Sequence, residues 1–233
     1  MRRITKNLIT LAVSAAFSTA GYAASSGNLS VIGTIKPASC TTTIGGVADA
    51  SFAYGKISKT LLLQGSITPL EAKSLELKIS CDGQTKLAVS ALDNRPSTNP
   101  FASGTIVDLS DAGAPSNTDA STLFGLGSYG AENKHIGGYS LAVNVTSAKH
   151  DGVAGRMAYS SSSGGSWGYA ATGHLMGNIW KTWASTAAAA VPVSGTEFTG
   201  DLMVKAFILP RADLVLTDNV ALDGSATIEI HYL

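Results

Sequence analysis

The chain has 233 residues, with 16 basic and 16 acidic side chains, a formal net charge of zero, and charged residues making up only 14% of the total. Nothing in it supplies the basic field that nucleic acid or an anionic membrane surface attracts, which argues against both partners. Gly, Ser, Thr and Ala are abundant while aromatic residues reach 7%, a balance that favours strands joined by many turns over helices.

The first segment reads as a secretory signal peptide. Arg2, Arg3 and Lys6 precede an apolar run over residues 8–17, and small residues follow up to Gly21-Tyr22-Ala23. Cleavage after Ala23 leaves a chain from Ala24 onward, about 210 residues, within the range of one large all-β domain. No later run approaches the roughly 18 uninterrupted apolar residues of a membrane helix, so the expectation is an exported protein with no membrane insertion.

Beyond the signal segment, Leu29, Val31, Gly33 and Ile35 alternate with Ser30, Ile32, Thr34 and Lys36. That is a first strand, ended by Pro37, which has no amide to donate to a ladder. Cys40 and Cys81 are the two cysteines, and an exported chain reaches a compartment where thiols oxidise. One disulfide is the simplest reading, and closing a loop of about 40 residues stabilises the fold by about 4 kcal/mol on the chain-entropy argument. A zinc site is the weaker alternative, because no histidine stands at ligand spacing.

Residues 51–54 read as a short strand and residues 65–69 as a turn. Leu75, Leu77, Ile79 and Cys81 share one strand face, Asp82-Gly83 reads as a turn, and Leu87, Val89 and Ala91 read as the returning strand of a hairpin over residues 74–92. Residues 93–135, rich in Gly, Pro, Asn, Asp and Ser, read as an irregular excursion. Tyr139, Leu141, Val143 and Val145 restore alternation after Gly137-Gly138, which reads as a bend or bulge. Residues 147–200 carry few signals, with a short helix expected near residues 175–190. Leu202, Val204, Ala206 and Ile208 mark another strand, ended by Pro210. Ala226, Ile228, Ile230 and Tyr232 mark the last, with Thr227, Glu229 and His231 on its other face. A charge at Ile230 is then expected to be costly, and one at His231 nearly silent. Many alternating strands without a βαβ rhythm predict an antiparallel β-sandwich forming a single domain over residues 24–233.

Catalytic and binding motifs are sparse. Gly164-Gly165-Ser166-Trp167-Gly168 fits the G-x-S-x-G pattern, with Asp201 and His231 following in the order of an α/β-hydrolase. An elbow needs a strand before the serine and a helix after it, and a Ser/Gly-rich loop surrounds Ser166 instead, so no enzyme is expected. His135, His150, His174 and His231 lack ligand spacing and read as exposed loop residues plus one on the outer face of the last strand, so no metal and no cofactor is expected. Trp167, Tyr169, Trp180 and Trp183 read either as aromatic packing at one end of the sandwich or as a stacking platform for a glycan or other surface ligand. Asn28 and Asn144 begin glycosylation-like triplets, read as ordinary strand residues.

Four stretches together resemble subunits of chaperone-usher pili of Gram-negative bacteria: residues 33–40, residues 75–91 around Cys81-Asp82, residues 202–210, and residues 226–233 with the penultimate Tyr232. More narrowly, Pro37-Ala38-Ser39-Cys40-Thr41, Ile79-Ser80-Cys81, Leu92-Asp93-Asn94-Arg95, Phe124-Gly125-Leu126-Gly127, Ile136-Gly137-Gly138-Tyr139 and Tyr232-Leu233 resemble the GltF-like family of secreted fimbrial-type proteins. Where pilus subunits carry a glycine ahead of the last strand, this chain has Val220, with Gly224 following. The resemblance implies an immunoglobulin-like, pilin-type sandwich with long loop insertions between residues 93 and 200. It also implies assembly by donor-strand exchange with a periplasmic chaperone and neighbouring subunits. Leu29, Val31, Gly33 and Ile35 would be the donor, and Ala226, Ile228, Ile230 and Tyr232 the acceptor strand. Periplasm or surface fimbria would be the location, and adhesion or pilus structure the role. The alternative is a soluble periplasmic protein that closes its own sheet with residues 29–35.

Overall fold

The structure, a computed structural model, describes residues 30, 32, 38–109, 117–185, 190–215 and 219–233. The signal segment and the donor residues Leu29, Val31, Gly33 and Ile35 lie outside the described residues. The chain divides into a unit of residues 1–36 and a unit of residues 37–233, and every strand belongs to the second.

In chain order the strands are β1 (Cys40–Ile44), β2 (Thr68–Pro69), β3 (Lys73–Thr85), β4 (Leu87–Asp93), β5 (Ile106–Asp108) and β6 (Asn117–Asp119). They continue with β7 (Leu123–Gly125), β8 (Ser128–Tyr129), β9 (Lys134–His135), β10 (Gly137–Val143), β11 (Lys149–His150) and β12 (Val153–Ala154). The remainder are β13 (Arg156–Ser160), β14 (Gly168–Tyr169), β15 (Trp180–Ala184), β16 (Gly195–Ile208) and β17 (Ala226–Tyr232). No α-helix occurs among the described residues, only single turns of 3₁₀ helix.

Two antiparallel sheets pack as a sandwich. The first has the order β1-β3-β16-β10-β7, with β2 and β11 also on β16 and β12 on β11; the second has the order β14-β13-β15-β4-β17. Their inner faces supply the core. Leu77 and Ile79 of β3, Tyr139, Leu141 and Val143 of β10, and Phe198, Leu202, Val204 and Ala206 of β16 meet Leu87, Val89 and Ala91 of β4, Met157 of β13 and Trp183 of β15. Burying each large apolar side chain contributes about 1.5 to 3 kcal/mol.

The expected hairpin over residues 74–92 does not form. β3 runs through Asp82-Gly83 without turning, and after the single residue Lys86 the chain enters β4 in the other sheet. The physical reason lies in the side-chain parity: the apolar residues Leu75, Leu77, Ile79 and Cys81 and, beyond Gly83 and Thr85, Leu87, Val89 and Ala91 all stand at odd-numbered positions. A chain that crosses a sandwich corner keeps such a series facing one core from both sides.

Other expectations change as well. Residues 51–54 form no strand, and the expected turn at 65–69 includes β2, which pairs with Phe207 and Ile208. Gly137-Gly138 is no bulge; both glycines pair in register within β10. A Cβ at Gly137 would collide with the Phe207 carbonyl oxygen, and one at Gly138 would lie 2.8 Å from the Phe207 ring, so close backbone approach is what requires glycine there. The expected helix at 175–190 is instead occupied by β15, flanked by β13 and β4.

The excursion at 93–135 has a definite job in the packing. It forms the small hairpins β5-β6 and β8-β9. It also covers the outer face of the first sheet, where Val107, Leu109, Ala120 and Leu123 bury Phe207, and Phe101 stacks on the Phe207 ring at 5.7 Å.

Candidate functional site

Cys40 and Cys81 face each other across β1 and β3 and form the expected disulfide, with their Cα atoms 4.0 Å apart. That distance satisfies the geometric limit for a bridge. The bond is in keeping with an oxidising compartment outside the cytoplasm.

β1 is the edge of one sheet and β17 the edge of the other. Between them opens a cleft of about 1270 Å³. Its floor is the inner face of the first sheet, with Tyr139, Leu141, Leu202, Val204 and Ala206; Ile44 and residues 50–59 form one wall. The opposite wall is Ala226 and Ile228 of β17 together with residues 219–225. The lining side chains are predominantly aliphatic and aromatic, and no described residue fills the cleft. It exceeds the ~300–1,000 Å³ of enclosed small-molecule pockets and has the form of a groove for a length of chain. Apolar grooves left open on a folded surface mark interaction sites.

Ala226, Ile228, Ile230 and Tyr232 all lie on β17 at this edge. Ala226, Ile228 and Ile230 are half-buried and pack against the main core. Tyr232 is 52% exposed, yet its hydroxyl accepts a hydrogen bond from the Cys40 amide at 3.0 Å. The cleft is therefore pinched at the Tyr232 end and wide at the Ala226 end. There Gly224 lies against Tyr139, and a Cβ on it would come within 2.7 Å of the ring. Burial, with the nearby Asp93 carboxylate second, raises the Tyr139 phenol above its ordinary value, so it stays protonated.

The outer face of β17 is more connected than the sequence suggests. His231 stacks on Trp180 with centroids 4.0 Å apart, and its Nε2 lies 2.9 Å from the Oγ of the buried Ser90. Ser90 Oγ donates to Glu229 Oε2 at 3.2 Å. The serine proton is thus directed to the carboxylate and its lone pair to the imidazole, the opposite sense to an activated nucleophile. Burial lowers the His231 pKa, opposed by the Glu229 charge.

The remaining candidates do not assemble. Ser166 pairs with Ser162 in the loop between β13 and β14, whereas His231 meets Ser90. Trp180 and Trp183, three residues apart on one strand, point to opposite faces. Trp183 is fully buried in the core with its indole donating to the Thr199 carbonyl, so the four aromatic residues make no common platform. His174 is no exposed loop residue: it is 6% exposed, its Nε2 has no partner among the described residues, and burial, then the Lys181 charge, lowers its pKa to about 4. Burial likewise lowers Lys181, on the inner face of β15, to about 8. Its ammonium donates to the Thr172 carbonyl and lies 5.3 Å from the centre of the Tyr159 ring. Among the described residues no group of three His, Cys, Asp or Glu is placed to hold a metal ion, and no helix is long and apolar enough to cross a membrane.

Sandwich, cross-strand disulfide and edge cleft together mark an all-β protein suited to an oxidising compartment, with an edge strand, β17, that pairs on one side only among the described residues. Residues 29–140 match the family described as "Protein of unknown function (DUF1120)". The chain is also 27% identical to Protein GltF of Escherichia coli (strain K12), with 98% of both chains covered, and is a distant homologue of that protein along its full length. The stretch matching the family includes both cysteines and the Asp93-Asn94-Arg95 and Gly125-Leu126-Gly127 segments.

Proposed function

We propose that this protein is an exported, non-enzymatic fimbrial-type subunit of pilin-like fold, whose cleft receives an extended apolar strand from a periplasmic chaperone and then from a neighbouring subunit. The observation that carries this reading is the coincidence of an edge strand, β17, whose side away from β4 pairs with no strand among the described residues, with an apolar cleft beside it. Strand addition uses both features: the backbone edge supplies hydrogen bonds, and the cleft receives alternate side chains. Residues 29–35 of another copy suit the role, being seven residues long like β17 and presenting Leu29, Val31 and Ile35 on one face. Burying three such side chains is worth about 5 to 8 kcal/mol before ordering costs.

The test is a peptide of residues 27–37 added to the exported chain. Saturable binding that is lost when Val31 and Ile35 of the peptide are both replaced by Asp supports strand addition. Equal binding of both peptides overturns it. A second reading follows from the bond between the Cys40 amide and Tyr232, which starts the preceding segment at one end of the β17 edge. In that reading the protein fills its own cleft and works as a soluble periplasmic protein. A chain that remains monomeric, refuses the peptide, and accepts it once residues 24–36 are deleted favours self-completion over assembly.

A further inference from the structure

Residues 219–225 form much of one cleft wall yet belong to no strand. Their apolar members Val220 and Leu222 pack on the core, but the polar links that fix them converge on three consecutive residues at the end of β4. The Asn94 amide donates to the Ser225 carbonyl at 3.0 Å, and the Asn94 side-chain amide donates to Ser225 Oγ at 3.0 Å and to Thr227 Oγ1 at 3.1 Å. Arg95 Nη2 meets Asp223 Oδ2 at 2.7 Å. Asp93 anchors the corner to the other sheet: Oδ1 accepts from the Arg95 amide and Oδ2 from the Gly125 amide, both at 2.8 Å. Asp223 closes the circuit, its amide donating to the Leu126 carbonyl at 3.0 Å.

We propose that the Asp93-Asn94-Arg95 corner is a positioning device for the cleft, setting the place of the 219–225 wall and with it the hold on a bound strand. The inference rests on the reading of the cleft as a strand acceptor. Asp93 references the wall to β7 in the first sheet, Asn94 aligns its junction with β17, and Arg95 pins its middle through Asp223. The Arg95 and Asp223 side chains are 41% and 56% exposed, so their pairing adds little to global stability and its effect falls on the local segment it restrains. The Arg95 Nε is buried without a partner among the described residues, so the pairing with Asp223 is what orients the guanidinium.

The experiment measures association of a fluorescent peptide of residues 27–37 with the disulfide-intact full chain, together with amide hydrogen exchange. The variants are Arg95→Ala, Asp223→Ala, both together, and the charge-reversed pair Arg95→Asp with Asp223→Arg. The wild type is expected to bind, each single variant to bind about fivefold more weakly through faster dissociation, and the double variant to be no worse than either. Exchange is expected to accelerate in residues 219–225 while β3 and β16 keep their protection, and the reversed pair is expected to recover part of the affinity. Wild-type binding with unchanged affinity in both single variants overturns the positioning role and leaves the acceptor reading standing. Exchange that accelerates uniformly over both sheets also overturns it, since that marks general destabilisation. If the wild type itself binds no peptide, with or without residues 24–36, the acceptor reading fails and takes the positioning role with it. Arg95→Lys, which keeps the charge but not the planar fork, falls between wild type and Arg95→Ala if the geometry of the pairing matters.

Discussion

The hydroxyl of Tyr232 accepts the amide hydrogen of Cys40 at 3.0 Å, joining the edge of one sheet to the edge of the other. Cys40 is bonded in turn to Cys81 on β3, so the last strand, the first strand and the disulfide form one connected unit.

Replacing Tyr232 by Phe removes that hydrogen bond and retains the ring. The expected loss is about 1 kcal/mol, read as a lower urea midpoint with an unchanged slope.

Replacing Cys40 and Cys81 by Ala is expected to cost about 4 kcal/mol for a bridge of this span, measured by urea unfolding against the oxidised parent. In that background Tyr232→Phe is expected to cost less than in the parent, because β1 is then free to move. The coupling appears directly in a double-mutant cycle.

Ile230 faces the core opposite Val89, while His231 faces outward onto Ser90 and Trp180. Ile230→Asp places an unpaired charge against apolar side chains and is expected to cost about 3 kcal/mol. His231→Asp is not silent: it removes a ring stack and sets a second carboxylate near Glu229, for an expected cost of about 1 to 2 kcal/mol. The two costs are compared in the same urea titration at neutral pH, and equal values would contradict the register of β17.

His174 makes stability fall with acid. Its folded pKa is about 4, against an ordinary 6.5, so the unfolded chain binds the proton first as pH falls. The contribution is fully present above pH 6.5 and is lost on descending towards 4, by about 3 kcal/mol in all. Lys181, with a pKa of about 8, stays charged throughout this window and does not add to the slope. His174→Gln is expected to make the urea midpoint vary less between pH 6.5 and 4.5, leaving the contribution of His231, whose pKa burial also lowers, in a window above the range where Asp119 and Asp151, both held below their ordinary values, take up protons.

The alternating faces of β3, β4, β16 and β17 and the disulfide were legible because period-two apolar patterns and paired cysteines are local signals. The partition between sheets was not. The same series of odd-numbered residues serves two strands paired side by side or one chain crossing between sheets, and the difference rests on contacts with β15 and β16, more than ninety residues away. Within the helix expected over residues 175–190, Trp180, Thr182 and Trp183 form a strand whose two faces are both covered, which hides the alternation. The Ser90 cluster was hidden for a related reason: serine in a strand of apolar residues gives no sign of what stands on the next strand. The cleft wall was partly legible, since the Leu92-Asp93-Asn94-Arg95 stretch carries part of the family resemblance and Gly224 follows Val220 ahead of the last strand, but only the fold shows that they meet.

Because β1 terminates one sheet and β17 the other, with the cleft between them, a single guest strand bonded to both would change the topology of the molecule as well as fill a groove. Two open-ended ladders would become one continuous ladder wrapped around the core, and two frayable borders would vanish at once. Exposed borders are where β proteins stick to one another at random. The guest would thus act as a seam, and a copy without it would carry its own liability to aggregate.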